Sequence, residues 1–362
     1  MKKDVLFVIA FVLCCSHASA QGCIAVRNLV GFGQFALPKY EEEPTKWLIN
    51  VNTRYFKFEK EYWGTDNQDV KTEDEKPTHV FVADVSITRM LDKGWSFTID
   101  IPVTAGERSS WQEHPAGKAT KTKYSTRSFG LSDIRVTAYK WLWDVSELHK
   151  GNIQIGVGIK LPTGDYRFQD YYHGDSLLVM APVNQSIQLG DGGTGFSLEA
   201  NGFYTVNKTL NLYANAFYLF SPRDVNGTYA LGITPASKAQ INATSTINSV
   251  ADGFTVRAGA NFSIKNLTLG IGGRFEGSPV HDVIGLSNGN RRAGSVGSIE
   301  PGLNYTWNRT VVYAFAPFSV YRNAKQIVPD QRLDQMDPAA APHKSQGGFS
   351  DYMVFFGVLF MM

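Results

Sequence analysis

Asn152–Tyr166 reads NIQIGVGIKLPTGDY. Ile153, Ile155, Val157, Ile159 and Leu161 fall on every second position, with Gln154, Gly156, Gly158, Lys160 and Pro162 between them. Side chains alternate between the two faces of a strand, so one face here is apolar and the other polar or bare. An apolar face packed on protein makes a soluble sandwich. The same face against lipid makes one stave of a membrane barrel.

Alternating segments of this kind recur at roughly 46–58, 78–91, 95–103, 131–143, 152–162, 195–206, 209–220, 253–264, 267–276, 296–306, 310–322 and 349–361. The connections between them decide the question. Glu59–Pro77, Thr104–Gly130, Thr163–Thr194, Ser221–Asp252, Gly277–Ser295 and Asn323–Gly348 are long. The intervening ones, such as Asp92–Gly94, Asn207-Lys208 and Lys265-Asn266, are short. Strict alternation sends every long loop out from one end, which is the habit of outer-membrane barrels and has no cause in a sandwich. The sequence therefore predicts an all-β fold, a transmembrane antiparallel barrel of about twelve strands with short periplasmic turns and long outer loops.

The faces agree. Trp47, Ile49, Val51, Thr53 and Tyr55 share one side of the first strand, with Leu48, Asn50, Asn52 and Arg54 on the other. Trp47 and Tyr55 would stand roughly 20 Å apart in depth on a tilted strand, close to the height of the apolar band between aromatic girdles. The final segment, DYMVFFGVLFMM, alternates Tyr352, Val354, Phe356, Val358 and Phe360, the kind of aromatic-rich ending that barrel-insertion machinery reads. Two Met follow the last Phe, a small departure.

The first residues, MKKDVLFVIAFVLCCSHASAQGC, join a basic start, an apolar stretch of Val5–Cys15 and the small-residue site Ala18-Ser19-Ala20. Residues 1–20 are thus expected to be a cleaved export signal, 21–45 a periplasmic segment, and 46–362 the barrel. A lipoprotein signal ending at Cys23 is the rival reading, against which Ala20 stands where such signals carry Leu. Loss of Lys2, Lys3 and Asp4 takes the 35 basic and 33 acidic residues to 33 and 32. That balance excludes a nucleic-acid surface. No run of 18 apolar residues follows, which excludes a helical membrane protein. The expected location is the bacterial outer membrane, with its lipid and a small-molecule solute as partners.

Several phrases, in order, carry a further signal: GLSDIRV (130–136), GVGIKLPTGDY (156–166), Gly190-Asp191-Gly192-Gly193, GGRFEGSPVHDVIG (272–285), NRRAG (290–294) and IEPGLNY (299–305). They resemble a bacterial outer-membrane family known as the meta-pathway of phenol degradation transporter-like family, over about Trp47 to Phe360. The resemblance implies a β-barrel and passage of small, often hydrophobic or aromatic compounds.

Alternation places Arg54, Arg135, Lys160, Arg257 and Arg274 inside, with Asp84, Asp100, Asp133, Glu199, Glu276 and Glu300. In a narrow lumen these charges must meet, because an isolated one is costly. They form either a selectivity lining or a paired structural network. Inward Gly156, Gly158, Gly270 and Gly272 either widen the tube or accommodate large neighbours such as Tyr139, Tyr213 or Phe217. The apolar outer loop Tyr166–Leu189, with Phe168, Tyr171, Tyr172, Leu177, Leu178 and Met180, is expected to pack into the mouth or to capture an apolar solute there.

The couples His281-Asp282 and His173 with Asp175 have no accompanying nucleophile motif, and no paired His or Cys suits a metal. No enzyme activity, cofactor or metal is expected. The predicted function is a channel for passive uptake of small hydrophobic or aromatic compounds. The competing class is a non-conducting structural or adhesive barrel closed by its internal charges.

Overall fold

The computed structural model describes residues 45–68, 75–91, 94–110, 123–144, 150–173, 178–230, 238–244, 246–343, 345 and 347–362. The expected export signal, Cys23, Leu177 and Asp175 lie outside these residues. Twelve antiparallel staves close into one barrel. They are β1 (Trp47–Phe58), β2 (Thr78–Met90), β3 (Trp95–Ser110), β4 (Tyr124–Leu131 and Arg135–Trp141), β5 (Gly151–Lys160) and β6 (Gly195–Thr205). They continue as β7 (Leu210–Phe220), β8 (Gly253–Ile264), β9 (Leu267–Ser278), β10 (Gly294–Trp307), β11 (Thr310–Phe315 and Phe318–Ala324) and β12 (Met353–Met361). Each pairs with the next, and Leu48–Phe56 of β1 pairs with Met353–Met361 of β12 to close the ring.

The opening stretch behaves as its alternation requires. Ile153, Ile155, Val157, Ile159 and Leu161 are exposed on the outside, while Gly156, Gly158 and Lys160 are buried inside. The barrel is therefore apolar outside and polar within, the reverse of a soluble protein and the arrangement that lipid demands. Trp47, Trp95 and Trp307 stand exposed at the turn end.

Two boundaries differ from the sequence reading. β3 runs on to Ser110 and β4 starts at Tyr124, so much of the expected loop Thr104–Gly130 is a paired ribbon, from Val103↔Leu131 to Ser110↔Tyr124. Above the apolar band the outward residues, such as Glu107 and Ser109, need not be hydrophobic, so the contrast that reveals a strand fades. The last strand begins at Met353 rather than 349.

β4 is interrupted at Ser132–Ile134, and β5 ends at Lys160. Among the described residues the far edge of Tyr124–Leu131 has no strand paired to it. A hairpin of Gln169–His173 and Leu178–Pro182 stands there instead, with Arg127 N donating to Asp170 Oδ2 at 2.7 Å.

Inside, a tyrosine lies over a glycine of the next stave at three places. Tyr139, Gly156 and Glu199 are in one row across β4, β5 and β6. A Cβ on Gly156 would sit 2.5 Å from the Tyr139 ring, whose hydroxyl donates to Glu199 Oε2 at 2.8 Å. Tyr213 crosses Gly259 towards Gly272, where a Cβ would be 2.2 Å from its oxygen. Tyr313 crosses Gly357 and donates to Asn50 Oδ1 at 2.9 Å. Gly156 and Gly272 therefore accommodate rings rather than widen the tube. Gly158 faces the hydroxyls of Thr137 and Ser197.

Gly357→Leu should destabilise the folded barrel by about 1–3 kcal/mol, since its side chain would enter the Tyr313 ring. Gly273→Ala, on the outer face with nothing within 4 Å of its Cβ, should be close to neutral. Urea midpoints followed by tryptophan fluorescence in detergent compare the two.

Candidate functional site

All eleven charged residues that alternation placed inside are buried. Nine of them gather into three groups, and the other two are Arg54 and Asp84. In the first, Arg135 of β4 donates to Asp100 Oδ2 of β3 at 2.9 Å and to Glu199 of β6 on its other side. In the second, Arg257 of β8 donates to Glu300 Oε1 of β10, with Nε at 3.1 Å. Arg274 of β9 holds Glu276 Oε2 at 2.6 Å and approaches Glu300 Oε2 at 3.7 Å. In the third, Lys160 meets Asp191 and lies 3.6 Å from Asp133.

The cations also reach aromatic faces across the lumen. Arg135 lies over Phe217 at 5.1 Å, Arg257 over Phe315 at 5.2 Å and Arg274 over Phe355 at 5.6 Å. Arg54 lies between the rings of Phe56 and Phe355, at 6.0 and 5.9 Å. A guanidinium weakly hydrated enough to stack on a ring is suited to this water-poor setting in a way that an ammonium is not. Asp84 lines the same space.

Asp133 is inside, as expected, but in the interruption of β4 and not on a strand. Its Oδ1 accepts from Gly164 N at 3.0 Å and its Oδ2 from Asp191 N at 3.3 Å. One carboxylate thus holds both feet of the loop that joins β5 to β6.

That loop enters the barrel. Val183 and Ile187 pack with Phe56, Phe58, Val80, Val82, Tyr213, Tyr313, Phe315, Met353 and Phe355 in one buried cluster, with Phe168 against its edge. The Ser128 hydroxyl donates to Ile187 O, and Arg292 donates to Asn184 Oδ1 at 3.2 Å. The expected mouth residues divide. Phe168 is at the cluster and Tyr172 is buried, its hydroxyl donating to Pro182 O at 2.9 Å.

Tyr171, Leu178 and Met180 are exposed, so of the two expectations for this loop these three do not meet the first, packing into the mouth. They belong to the hairpin at the open edge of β4, whereas the inserted part is the less apolar Asn184–Leu189. Sequence reasoning missed Val183, Ile187 and Leu189 because a loop has no period to follow. It also missed Phe56 and Phe58, which continuing the β1 alternation past Arg54 would have found.

Below the inserted segment lies a cavity of about 160 Å³, lined by Phe56, Val80, Val82, Phe217, Asp100 and Arg135 among others, with Gln185–Ser186 and Gln188–Asp191 above it. A second cavity of about 370 Å³ lies outside the segment, among Lys60, Lys76, Arg108, Arg292, Glu61 and Asp330. Arg292 touches both. Burial pushes the Asp330 carboxyl above its ordinary value, and the Ser345 hydroxyl that donates to it opposes the shift.

The His–carboxylate couples are otherwise engaged. Asp282 accepts Arg291 at both oxygens, each at 2.6 Å, and His173 stacks on Tyr124. Among the described residues no group of three His, Cys, Asp or Glu could hold a metal.

No family model matches the chain, and no curated protein matches it. Solved structures do. A COG4313 outer membrane channel from Pseudomonas putida F1 superposes with a TM-score of 0.55 at 10% identity, over 90% of this chain and 98% of that one. A FadL homologue from Pseudomonas aeruginosa (TM-score 0.42, 10% identity, 87% and 90% covered) and the P. putida toluene transporter TodX (0.42, 8%, 88% and 91%) are more distant. The fold is that of an outer-membrane β-barrel.

Glu300→Leu should cost about 3–5 kcal/mol of stability, because it leaves Arg257 buried beside a ring without its carboxylate. Pairing it with Arg257→Met should restore much of that loss, Arg274 keeping Glu276. Urea unfolding of the single and double variants provides the comparison.

Proposed function

We propose that the protein is a passive outer-membrane channel for small hydrophobic or aromatic compounds. The observation that carries this reading is the roof of the inner cavity. A barrel meant only to be shut can fill its lumen from its own staves. Here a space of about 160 Å³ is left, and its cover, Asn184–Asp191, comes from a loop. Cavities of about this size hold a single benzene ring. Phe56, Val80, Val82 and Phe217 offer a ring apolar contact, while Asp100 and Arg135 offer a polar substituent hydrogen bonds. The resemblance to the phenol meta-pathway family agrees in size and chemistry. The sequence carries no nucleotide-binding motif, and the proposed passage runs down the solute's gradient.

A second reading of the route rests on the open edge of β4. Phe168 lines a groove on the outer wall beside Phe81, Phe129 and Tyr171, and it also touches the inner apolar cluster. An apolar solute dissolved in the bilayer would meet the exposed Phe81, Phe129 and Tyr171 and then the half-buried Phe168. The non-conducting alternative draws on the same buried ion pairs, which close the lumen as well as line it.

Planar-bilayer conductance separates them. The wild-type chain should give small, infrequent steps, and replacing Asn184–Gln188 with Gly and Ser should give larger and longer ones. In that background Asp84→Asn should lower cation over anion selectivity. A variant that inserts and stays silent would overturn the axial path and leave a closed barrel or the lateral route past Phe168.

A further inference from the structure

The loop joining β9 to β10 carries an apolar tip on a polar stem. Val283, Ile284 and Leu286 are 66%, 49% and 62% exposed. Such a tip on a slack loop would fold back on itself, but this one is held out. At its base Asp282 N donates to Ser287 Oγ at 2.8 Å, and the Ser287 hydroxyl returns a bond to Asp282 Oδ2 at 3.2 Å. Arg291 grips both oxygens of Asp282, and Asp252 N donates to Oδ1 at 2.9 Å. Gly285, at φ +100°, turns over the chain leaving β7, where a Cβ would lie 2.6 Å from Pro222 O. The ordering entropy of the tip is thus already spent within the loop.

Its location follows from one carboxylate. Asp252 Oδ2 accepts Val283 N at 2.8 Å and the Tyr218 hydroxyl at 2.9 Å. Tyr218 points to the outer wall, in alternation with exposed Leu212, Ala214 and Ala216 on β7. It packs on Phe220 at 4.5 Å between ring centres. An aromatic ring with its hydroxyl raised to a polar partner is the usual occupant of the membrane–water boundary. Val283 therefore begins where the lipid-facing wall ends, on the same side of it.

We propose that Val283, Ile284 and Leu286 insert among the acyl chains of the outer leaflet and extend the apolar belt beyond the staves. The polar stem stays at headgroup level, and the loop is tied to the bilayer as well as to the barrel. The inference is independent of what the lumen conducts.

Nitroxide labels test it on the full mature chain, with Cys23→Ser removing the native thiol. Val283→Cys, Ile284→Cys and Leu286→Cys are labelled one at a time in phosphatidylethanolamine–phosphatidylglycerol vesicles, and heat-modifiable migration checks folding. Val256→Cys on the lipid face of β8 and Asn67→Cys on an exposed hairpin give the references. The ratio of oxygen to nickel-chelate accessibility at the tip should match Val256→Cys and exceed Asn67→Cys several-fold. Values equal to Asn67→Cys at the tip positions would overturn the proposal. Dipolar broadening that vanishes on dilution with unlabelled protein would also overturn it, by assigning the tip to a second copy of the chain.

Discussion

Closure of the hydrogen-bond ladder between β1 and β12 is the constraint on which the rest depends. Hydrocarbon offers no partner to a free N–H or C=O, so a sheet can lie in lipid only if it has no edge there. The pairs from Leu48↔Met361 to Phe56↔Met353 remove that edge and bring the two ends of the barrel chain together at the turn end. Once the ring is closed, every second side chain must enter a narrow tube. The composition of the lumen is then dictated by the period of the strands. Among the described residues two staves are interrupted, β11 at Ala316–Pro317 and β4 at Ser132–Ile134, and the break in β4 coincides with the hairpin that covers it.

The lumen settles its charges by rows rather than by adjacent pairs alone. Arg135 reaches both the stave before it and the stave two beyond, and Arg257 reaches across β9 to Glu300. Such reach requires bare ground between, which the glycines provide: Tyr139 gets to Glu199 only over Gly156, and Tyr313 gets to Asn50 only past Gly357. Polar networks buried in this way fix register, since a slip of one residue would turn every ion pair towards lipid. In the proposed channel, network and solute-facing surface would be one set of atoms. A solute that enters must find hydrogen bonds at least as good as those it disturbs.

Much of this was legible in the chain. Ile153–Leu161 announced its outer face, and Arg54 through Glu300 were placed inside by counting twos. Asp133 was placed inside by the same count although it sits in no strand, because the interruption keeps the direction of the flanking stave. What the count could not reach was conformation without period. The segment Asn184–Leu189 reads as an ordinary polar loop yet enters the barrel, while the more apolar Leu178-Val179-Met180 stays exposed. Hydrophobicity alone cannot distinguish a side chain that enters a protein mouth from one that stands at an outer wall, because both leave water. The upper lengths of β3 and β4 were lost for the opposite reason: above the lipid, a strand has no obligation to look amphipathic.

Asp133 holds Gly164 and Asp191 on its two oxygens, so the loop between them starts and finishes at a single point of the wall. A segment anchored that way is mechanically a closed ring hung from the barrel. Its length and sequence can change without moving either neighbouring stave, since loop closure is only weakly sensitive to contour length. Descendants of one barrel could therefore exchange this ring wholesale, acquiring a new lid, and with it a new chamber shape, while inheriting the wall intact. On this view the wall is the fixed frame and the ring its interchangeable part.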